Sequence, residues 1–391
     1  MISCARQFLE TMSTMLKILS LNYEFPPIGG GGGNAHRHIL REFTRFQDMH
    51  VTLITTTIQP DPFTETLSPN VQIHFLPIKK QDLFFWRRSE VIRYLAIHHG
   101  FLGEHLKTNS YDLCHVFFGF PSGLLAFLRR KTLPYLVSVR GSDVPGYNRR
   151  FSLDYVFLRP ILNRIYRSAR AVVANSRGLQ DLFQRQFPRL TAQVIPNGVD
   201  TTLFAPVSRP IPSEFTLVTL ARLIPRKGID LLLRACRILQ QNGFAFQCHI
   251  VGDGPEEENL KKLSRELGIS ERITFHGRME RESVARFLPQ CDLFVLPSYA
   301  EGMSNAALEA MACGLPLVLT DTGGSRELID GNGKIVAIGE SLLLAATLMD
   351  LLSQPQQLRE MGDQSRIRAE QYSWRTVAQQ YHDLYVRLCH D

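Results

Sequence analysis

Glu301 and Glu309 frame one segment: Pro297-Ser-Tyr-Ala-Glu301-Gly-Met-Ser-Asn-Ala-Ala-Leu-Glu309-Ala-Met-Ala-Cys-Gly314-Leu-Pro316. Ser304 and Asn305 are both good helix caps. Gly314 has the place of a C-terminal glycine, and Pro316 follows it. The spacing predicts a helix over 305–313, with Glu301 in the loop before it and Glu309 one turn inside. Free backbone N–H groups at such a helix start bind anions, helped by the helix dipole. A carboxylate one turn inside can accept hydrogen bonds from ribose hydroxyls. A nucleotide diphosphate fits this constellation, with Met303, Ser304, Asn305 and Glu309 as donor-binding candidates. Two glutamates flanking a capped helix are, taken alone, equally compatible with an ordinary solvated helix start.

Arg222 and Lys227 form the second cluster, in Ala221-Arg-Leu-Ile-Pro-Arg-Lys227-Gly228. The apolar run 215–220 leads straight into Arg222, and Lys227-Gly228 precedes a helical pattern. Cations at a strand's carboxyl end and at a helix start can clamp a diphosphate and stabilise it as it leaves. An isolated Arg-x-x-x-x-Lys would be plain surface charge. Val251-Gly-Asp-Gly254-Pro255 is a tight turn whose glycines allow close approach of a ligand, although this short motif is weak by itself. Asp321-Thr-Gly323-Gly324 is a similar turn.

Such residues need strands that end together. Apolar runs at 16–21, 50–55, 71–76, 111–118, 135–139 and 171–174 read as strands, with helical patterns between several of them, one from His36 to Phe46. Residues 196–212 hold four prolines and little periodicity, and read as a linker. The pattern then restarts, with strands at 215–220, 246–251, 273–276, 292–296 and 317–320 and helices at 229–241, 256–267 and 305–313. Alternation of this kind predicts the α/β class: two tandem Rossmann-like doubly wound domains, each a parallel sheet covered on both faces, facing one cleft. Ligands bind beyond the carboxyl ends of such strands. Gly29–Gly33, followed by Asn34, lies between the first strand and helix, and its backbone can approach a phosphate or sugar closely. A dinucleotide reading would need an acid at the end of the second strand, where Thr55-Thr-Thr57 stands instead.

Together these motifs resemble the retaining glycosyltransferases of family 4, which have the two-domain GT-B architecture. The matching pieces, in family order across about residues 16–385, are Pro196-Asn-Gly-Val-Asp200, Arg222…Lys227-Gly, Val251-Gly-Asp-Gly-Pro255, Glu301-x7-Glu309 and Gly323-Gly324. The resemblance implies a nucleotide-diphosphate sugar bound mainly by the second domain. Arg222 and Lys227 would lie on the diphosphate, Glu309 on the ribose, and Glu301 with nearby N–H groups on the sugar. Glu301, Arg222 and Lys227 are thus the catalytic candidates, and Gly254, Gly30 and Gly31 join the donor-binding set. It also divides the chain: 1–14 an extension, 15–195 an acceptor-side domain, 196–212 the linker, 213–370 the donor domain, and 371–391 a helix crossing back to the first domain. Val139-Arg140-Gly-Ser-Asp143 is similar to a cleft-facing family loop, so Arg140, Asp143 and Asn34 are candidates for positioning acceptor or sugar. A structural Arg140–Asp143 ion pair is an equal reading. Many relatives carry His where this chain has Arg140, and a second His where it has Phe117; His115 reads as a core or supporting residue.

The net charge of +7 is unevenly spread. Residues 1–200 hold 24 Lys+Arg against 14 Asp+Glu, giving +10, and residues 201–391 hold 20 against 23, giving −3. Lys79-Lys80-Gln-Asp-Leu-Phe84-Phe85-Trp86-Arg87-Arg88 interleaves cations with aromatics, which would suit an anionic membrane surface or a lipid diphosphate; the rival reading is a core helix with basic ends. No recognised nucleic-acid fold is present. The seven scattered cysteines form no CxxC pair and read as core residues of a reducing compartment. The first twenty residues make a poor signal peptide, and no run is long enough to span a membrane. A cytoplasmic enzyme, peripheral on the membrane's cytoplasmic face, is the expectation.

No Asp-x-Asp motif is present to hold a divalent ion, so no metal and no other cofactor is expected. No carboxylate pair has the sequence logic of a double displacement, which favours front-face attack by the acceptor hydroxyl. The expected activity is transfer of a hexose-type sugar to a lipid-linked, glycolipid or cell-envelope polysaccharide precursor. One rival is a sugar-nucleotide oxidoreductase or epimerase, but the chain has no Tyr-x-x-x-Lys pair. The other is a non-catalytic nucleotide-sugar-binding protein.

Overall fold

The structure is a computed structural model that describes residues 15–80, 82–83, 85–147, 152–210 and 213–390. The extension expected at 1–14 lies outside them. The chain divides into two compact units: one of Met1–Asn175, Gln180–Ile195 and Val377–Asp391, the other of Ser176–Leu179 and Pro196–Thr376. The proline-rich 196–212 stretch thus falls in the second unit, where the Val199 N–H donates to the Tyr372 carbonyl at 2.7 Å.

The first unit carries β1 (Leu16–Leu21), β2 (Met49–Thr57), β3 (Phe63–Ser68), β4 (Val71–Pro77), β5 (Leu113–Phe117), β6 (Tyr135–Val139), β7 (Ala171–Ala174) and β8 (Gln193–Val194). Their order in the sheet is β3-β4-β2-β1-β5-β6-β7-β8. β5 and β6 are buried at every position, which is why they read as continuous apolar runs. β3 corrects the all-parallel expectation: it pairs antiparallel with β4. No β3 residue is fully buried, and Glu65 sits mid-strand, as befits a blunted edge.

The second unit carries β9 (Phe215–Leu220), β10 (Phe246–Val251), β11 (Ile273–Gly277), β12 (Leu293–Leu296), β13 (Leu317–Thr320) and β14 (Gly333–Val336), all parallel, in the order β11-β10-β9-β12-β13-β14. One apolar core runs from Val199 to Ala369 around this sheet.

In each sheet the strand order reverses once, between β1 and β5 and between β9 and β12. Crevices open beyond the carboxyl ends of strands at such switch points. β1 leads into the glycine run, β9 into Arg222, and β12 into Glu301. The topology alone therefore brings both clusters of the second unit to one place.

Two local expectations change. Three of the five glycines lie in the first turn of the helix Gly31–Phe43, which starts well before His36. And the basic-aromatic stretch is partly turned inward. The Lys80 ammonium is fully buried, 3.3 Å from Glu90 and 4.4 Å from the Trp86 ring centre. Trp86 packs edge-on against Tyr23 and Tyr94. Phe85 is exposed, and Gln81 and Phe84 lie outside the described residues. Among the described residues no helix is long and apolar enough to cross a membrane. Five cysteines are buried as free thiols, and Cys389 is partly buried.

Candidate functional site

In the second unit the chain leaves β9 at Ala221 and makes a short 3-10 turn, Pro225–Lys227, before the helix Ile229–Gln241. Gly228 joins them at φ 62°, and a Cβ there would lie 2.2 Å from the Pro297 carbonyl oxygen. The Tyr299 N–H also donates to the Arg226 carbonyl at 2.8 Å. The loops after β9 and β12 are therefore in direct contact, and this is what brings Lys227 to Glu301. Their side chains form an ion pair, each at least 85% buried by side-chain exposures of 15% and 11%. The Ser298 hydroxyl donates to the same Glu301 oxygen at 2.8 Å. Gly228→Ala is expected to destabilise the protein by about 1–3 kcal/mol through backbone strain and to separate the pair. A thermal melt beside a nucleotide-release assay checks both effects.

Arg222 is exposed at the end of β9. The turn after β10 holds its segment in place: the Leu223 N–H donates to the Asp253 carbonyl at 2.8 Å, and the Ala221 N–H to Val251 at 3.0 Å. Cβ atoms on Gly252 and Gly254 would meet the carbonyls of Ala221 and Leu223 at 1.8 and 2.3 Å. These glycines thus let two loops pack, a reason independent of any ligand.

The second segment folds as its spacing implied. Ser304 caps the helix Asn305–Ala312, accepting from the Ala307 N–H at 3.3 Å. Met303 is buried and Asn305 opens the helix. The Asn197 side chain donates to Asn305 Oδ1 at 2.9 Å, a support the sequence reading passed over although Asn197 lies in its quoted Pro-Asn-Gly motif. Glu309 sits one turn in, partly buried on the helix. Burial pushes its carboxyl up to about 7, and Arg281 offsets part of that. A Cβ on Gly324 would lie 2.0 Å from the Gly302 carbonyl, so the turn after β13 backs the loop that carries Glu301 and Met303.

In the first unit Gly30 caps the helix Gly31–Phe43 without a side-chain bond, and Gly31 and Asn34 are exposed in its first turn. Cβ atoms on Gly32 and Gly33 would lie 2.7 Å from the Phe118 ring and 2.6 Å from the Glu24 carbonyl. Tight packing thus explains part of the glycine run. The Glu24 carboxyl, raised by burial and bonded to the Gly30 N–H, is a further group here. Its only sequence signal is its place between the first strand and the glycines.

Asp143 accepts the N–H groups of Gly119, Arg140 and Gly141 at 2.8, 2.9 and 3.1 Å. Its carboxylate shapes the loop, meeting Arg140 through the backbone. The Arg140 guanidinium lies 4.5 Å over Phe117 and donates to the Tyr381 hydroxyl at 3.2 Å. His115 is a core residue: its ring nitrogens meet Ser138 Oγ at 2.7 Å and the Tyr385 hydroxyl at 2.6 Å, and burial holds it well below the usual range. Tyr381 and Tyr385 come from the last helix, Trp374–His390, and the sequence offered no signal for their partners.

The model of the family described as Glycosyl transferases group 1 matches residues 204–368, and that of Glycosyltransferase Family 4 matches residues 29–203. The GDP-mannose-dependent alpha-(1-6)-phosphatidylinositol monomannoside mannosyltransferase of Mycolicibacterium smegmatis is 32% identical over 304 residues, 70% of this chain and 75% of that protein. Sucrose-phosphate synthase from Thermosynechococcus elongatus superposes with a TM-score of 0.80 at 22% identity, covering 95% of this chain and 99% of that one. HepE of Anabaena, solved with UDP-glucose, gives 0.69 at 21% identity, covering 95% and 100%. With the strand order, the motif series and these likenesses in agreement, the chain belongs to the family 4, group 1 glycosyltransferases and is a glycosyltransferase.

Proposed function

We propose that the enzyme is a retaining, metal-independent transferase that moves a hexose-type sugar from a nucleotide-diphosphate sugar to an acceptor hydroxyl. The acceptor is a lipid-linked sugar, a glycolipid or a polysaccharide precursor. The observation that carries the reading is the meeting of Lys227 and Glu301 at the switch point of the second sheet. Support comes from the Mycolicibacterium relative, named for GDP-mannose and a phosphatidylinositol mannoside, and from HepE, solved with UDP-glucose.

Arg222 and Lys227 take the diphosphate, the N–H groups at 303–305 help them, and Glu309 accepts from the ribose. Glu301 holds Lys227 before the donor arrives and positions the sugar after it. Gly254 lets backbone approach the donor, and the turn at Gly30 and Gly31 lets backbone approach a phosphate or sugar. Arg140 positions acceptor or sugar, with Asn34 beside the glycine turn, and Asp143 acts through the loop that carries Arg140. In the step itself the acceptor oxygen bonds to the anomeric carbon as the bond to the diphosphate oxygen breaks. The electron pair goes to that oxygen, and the acceptor proton passes to it on the same face. Charge on the departing diphosphate is met by Arg222 and Lys227.

A nucleotide-release assay over UDP- and GDP-sugars tests the reading. Release from at least one donor is expected; binding without release from any would instead indicate a nucleotide-sugar-binding protein. The same turnover is expected after EDTA treatment. Loss of activity restored only by added Mg²⁺ or Mn²⁺ would refute the metal-independent mechanism. The donor reading places the enzyme in the cytoplasm, at the membrane face where a lipid-linked acceptor is presented.

A further inference from the structure

The glycine turn of the first unit follows the carboxyl end of β1, but the densest positive charge of that unit lies at the other end of its sheet. Between positions 159 and 189 the sequence holds seven arginines, no lysine and a single acid, Asp181. The helix Arg177–Gln186 leaves the carboxyl end of β7 and runs back toward the amino ends of the parallel strands. The helix Ser152–Ser168 ends just before β7 begins at Ala171. The last turns of both helices, with the corner Phe187–Arg189, therefore sit at the amino end of the sheet.

A cavity of about 440 Å³ opens there, within the roughly 300–1,000 Å³ of small-molecule sites. Arg159, Arg167 and Arg189 line it and are exposed. Asn163 and Gln186 add two side-chain amides, and Phe187, 4% exposed, forms an apolar wall with Pro160 and Pro188. Among the described residues the Asn163 amide has no hydrogen-bond partner, and no acidic side chain lies within ion-pair distance of the three arginines. Helix ends attract cations, which gains about 0.3–1 kcal/mol. Arg159 is spent this way, donating to the Gln186 carbonyl at 3.0 Å. Arg167, in the last turn of its own helix, shares that reason in part. Arg189 lies beyond both helices and has none. Gathering these cations around one hollow costs repulsion that an anion inside it would relieve.

We propose that this cavity is a binding site for a small sugar phosphate. A phosphomonoester carries a charge of about −1.5 to −2 at neutral pH, which matches Arg167 and Arg189, and their planar forks suit its oxygens. Amides both donate and accept, so Asn163 and Gln186 suit sugar hydroxyls. The C–H face of the ring lies against Phe187. Inorganic phosphate would leave the amides and most of the volume unused, and a neutral sugar would leave the arginines uncompensated. The proposal does not rest on the transferase reading.

The test is isothermal titration of the full chain with glucose 6-phosphate, inorganic phosphate and UDP at about 0.15 M salt. Glucose 6-phosphate is expected to bind at least tenfold more tightly than inorganic phosphate. Arg167→Gln/Arg189→Gln should weaken it about 100-fold, the weight of hydrogen bonds to a charged group. Asn163→Ala should weaken it about threefold to tenfold and leave inorganic phosphate unchanged, the weight of a neutral hydrogen bond. The thermal midpoints of both variants without ligand should match the wild type. Equal affinity for glucose 6-phosphate and inorganic phosphate, or undiminished binding by the double variant, would overturn the proposal. So would a loss of UDP affinity in the double variant, which would make the cavity a nucleotide site. Nucleotide release is read on the same samples: its absence in the wild type counts against the transferase reading and leaves the sugar phosphate result standing.

Discussion

Changing Lys227 to methionine is expected to lower nucleotide release from a donor sugar by about 100- to 1,000-fold, the range for removing one group aimed at a developing anion. The methionine keeps the stem and removes the charge. Its second effect falls on Glu301. That carboxylate is 11% exposed and would keep only the Ser298 hydroxyl. Breaking one side of a buried pair leaves an uncompensated charge, so some loss of stability is also expected. Glu301→Gln in the same chain should restore the stability and not the rate. That split separates the two roles of Lys227. Turnover near the wild-type level in Lys227→Met would remove this residue from the catalytic set.

Glu309 gives the second large effect. Glu309→Ala is expected to raise the donor KM by roughly 10- to 100-fold, the weight of hydrogen bonds to a charged acceptor, with the fold intact by circular dichroism. The wild type should show it through pH as well. The carboxyl ionises near 7, because burial disfavours the charge. If the ionised form binds the ribose, donor KM rises about tenfold for each pH unit below that point, and Glu309→Gln flattens the profile. The stability effect has the opposite direction. A carboxyl raised in the folded state favours folding while protonated; that contribution is whole below the unfolded value near 4.5 and is lost as pH rises through about 7. Glu309→Gln should therefore gain up to about 3 kcal/mol on the wild type between pH 5 and 8. A flat wild-type KM profile with an unchanged difference in stability would contradict both statements.

What the sequence revealed was local. β1, β6, β7, β9, β10 and β13 have the ends that their apolar runs implied, since a buried parallel strand is written as one unbroken run. Ser304 was readable as a cap because capping is a contest among four or five neighbouring residues. Gly31–Gly33 misled because glycine is a poor helix former. Only the approach of Phe118 and Glu24 shows why nothing larger fits there. β3 was missed because its residues carry no alternation at an exposed edge. Lys80 and Trp86 were placed in the right segment, but exposure is a tertiary property, and the ion pair with Glu90 reverses the simplest reading of a basic stretch. At the candidate site, residue types singled out Arg222, Lys227, Glu301 and Glu309 as candidates. The pairing of Lys227 with Glu301 depends on Gly228 meeting Pro297, a contact across 69 positions of chain that no local pattern records.

The last helix has a consequence for synthesis. Ser138 and His115 are buried polar groups, and both complete their hydrogen bonds with hydroxyls from positions 381 and 385. On the ribosome the first sheet emerges early, yet these partners follow 243 and 270 positions later. Apart from four residues, the second unit is one continuous stretch, Pro196–Thr376, and can close before them. Vectorial folding therefore inverts the order of the chain: the second unit can finish first, and the first waits, its polar interior open to water, until positions 381 and 385 emerge.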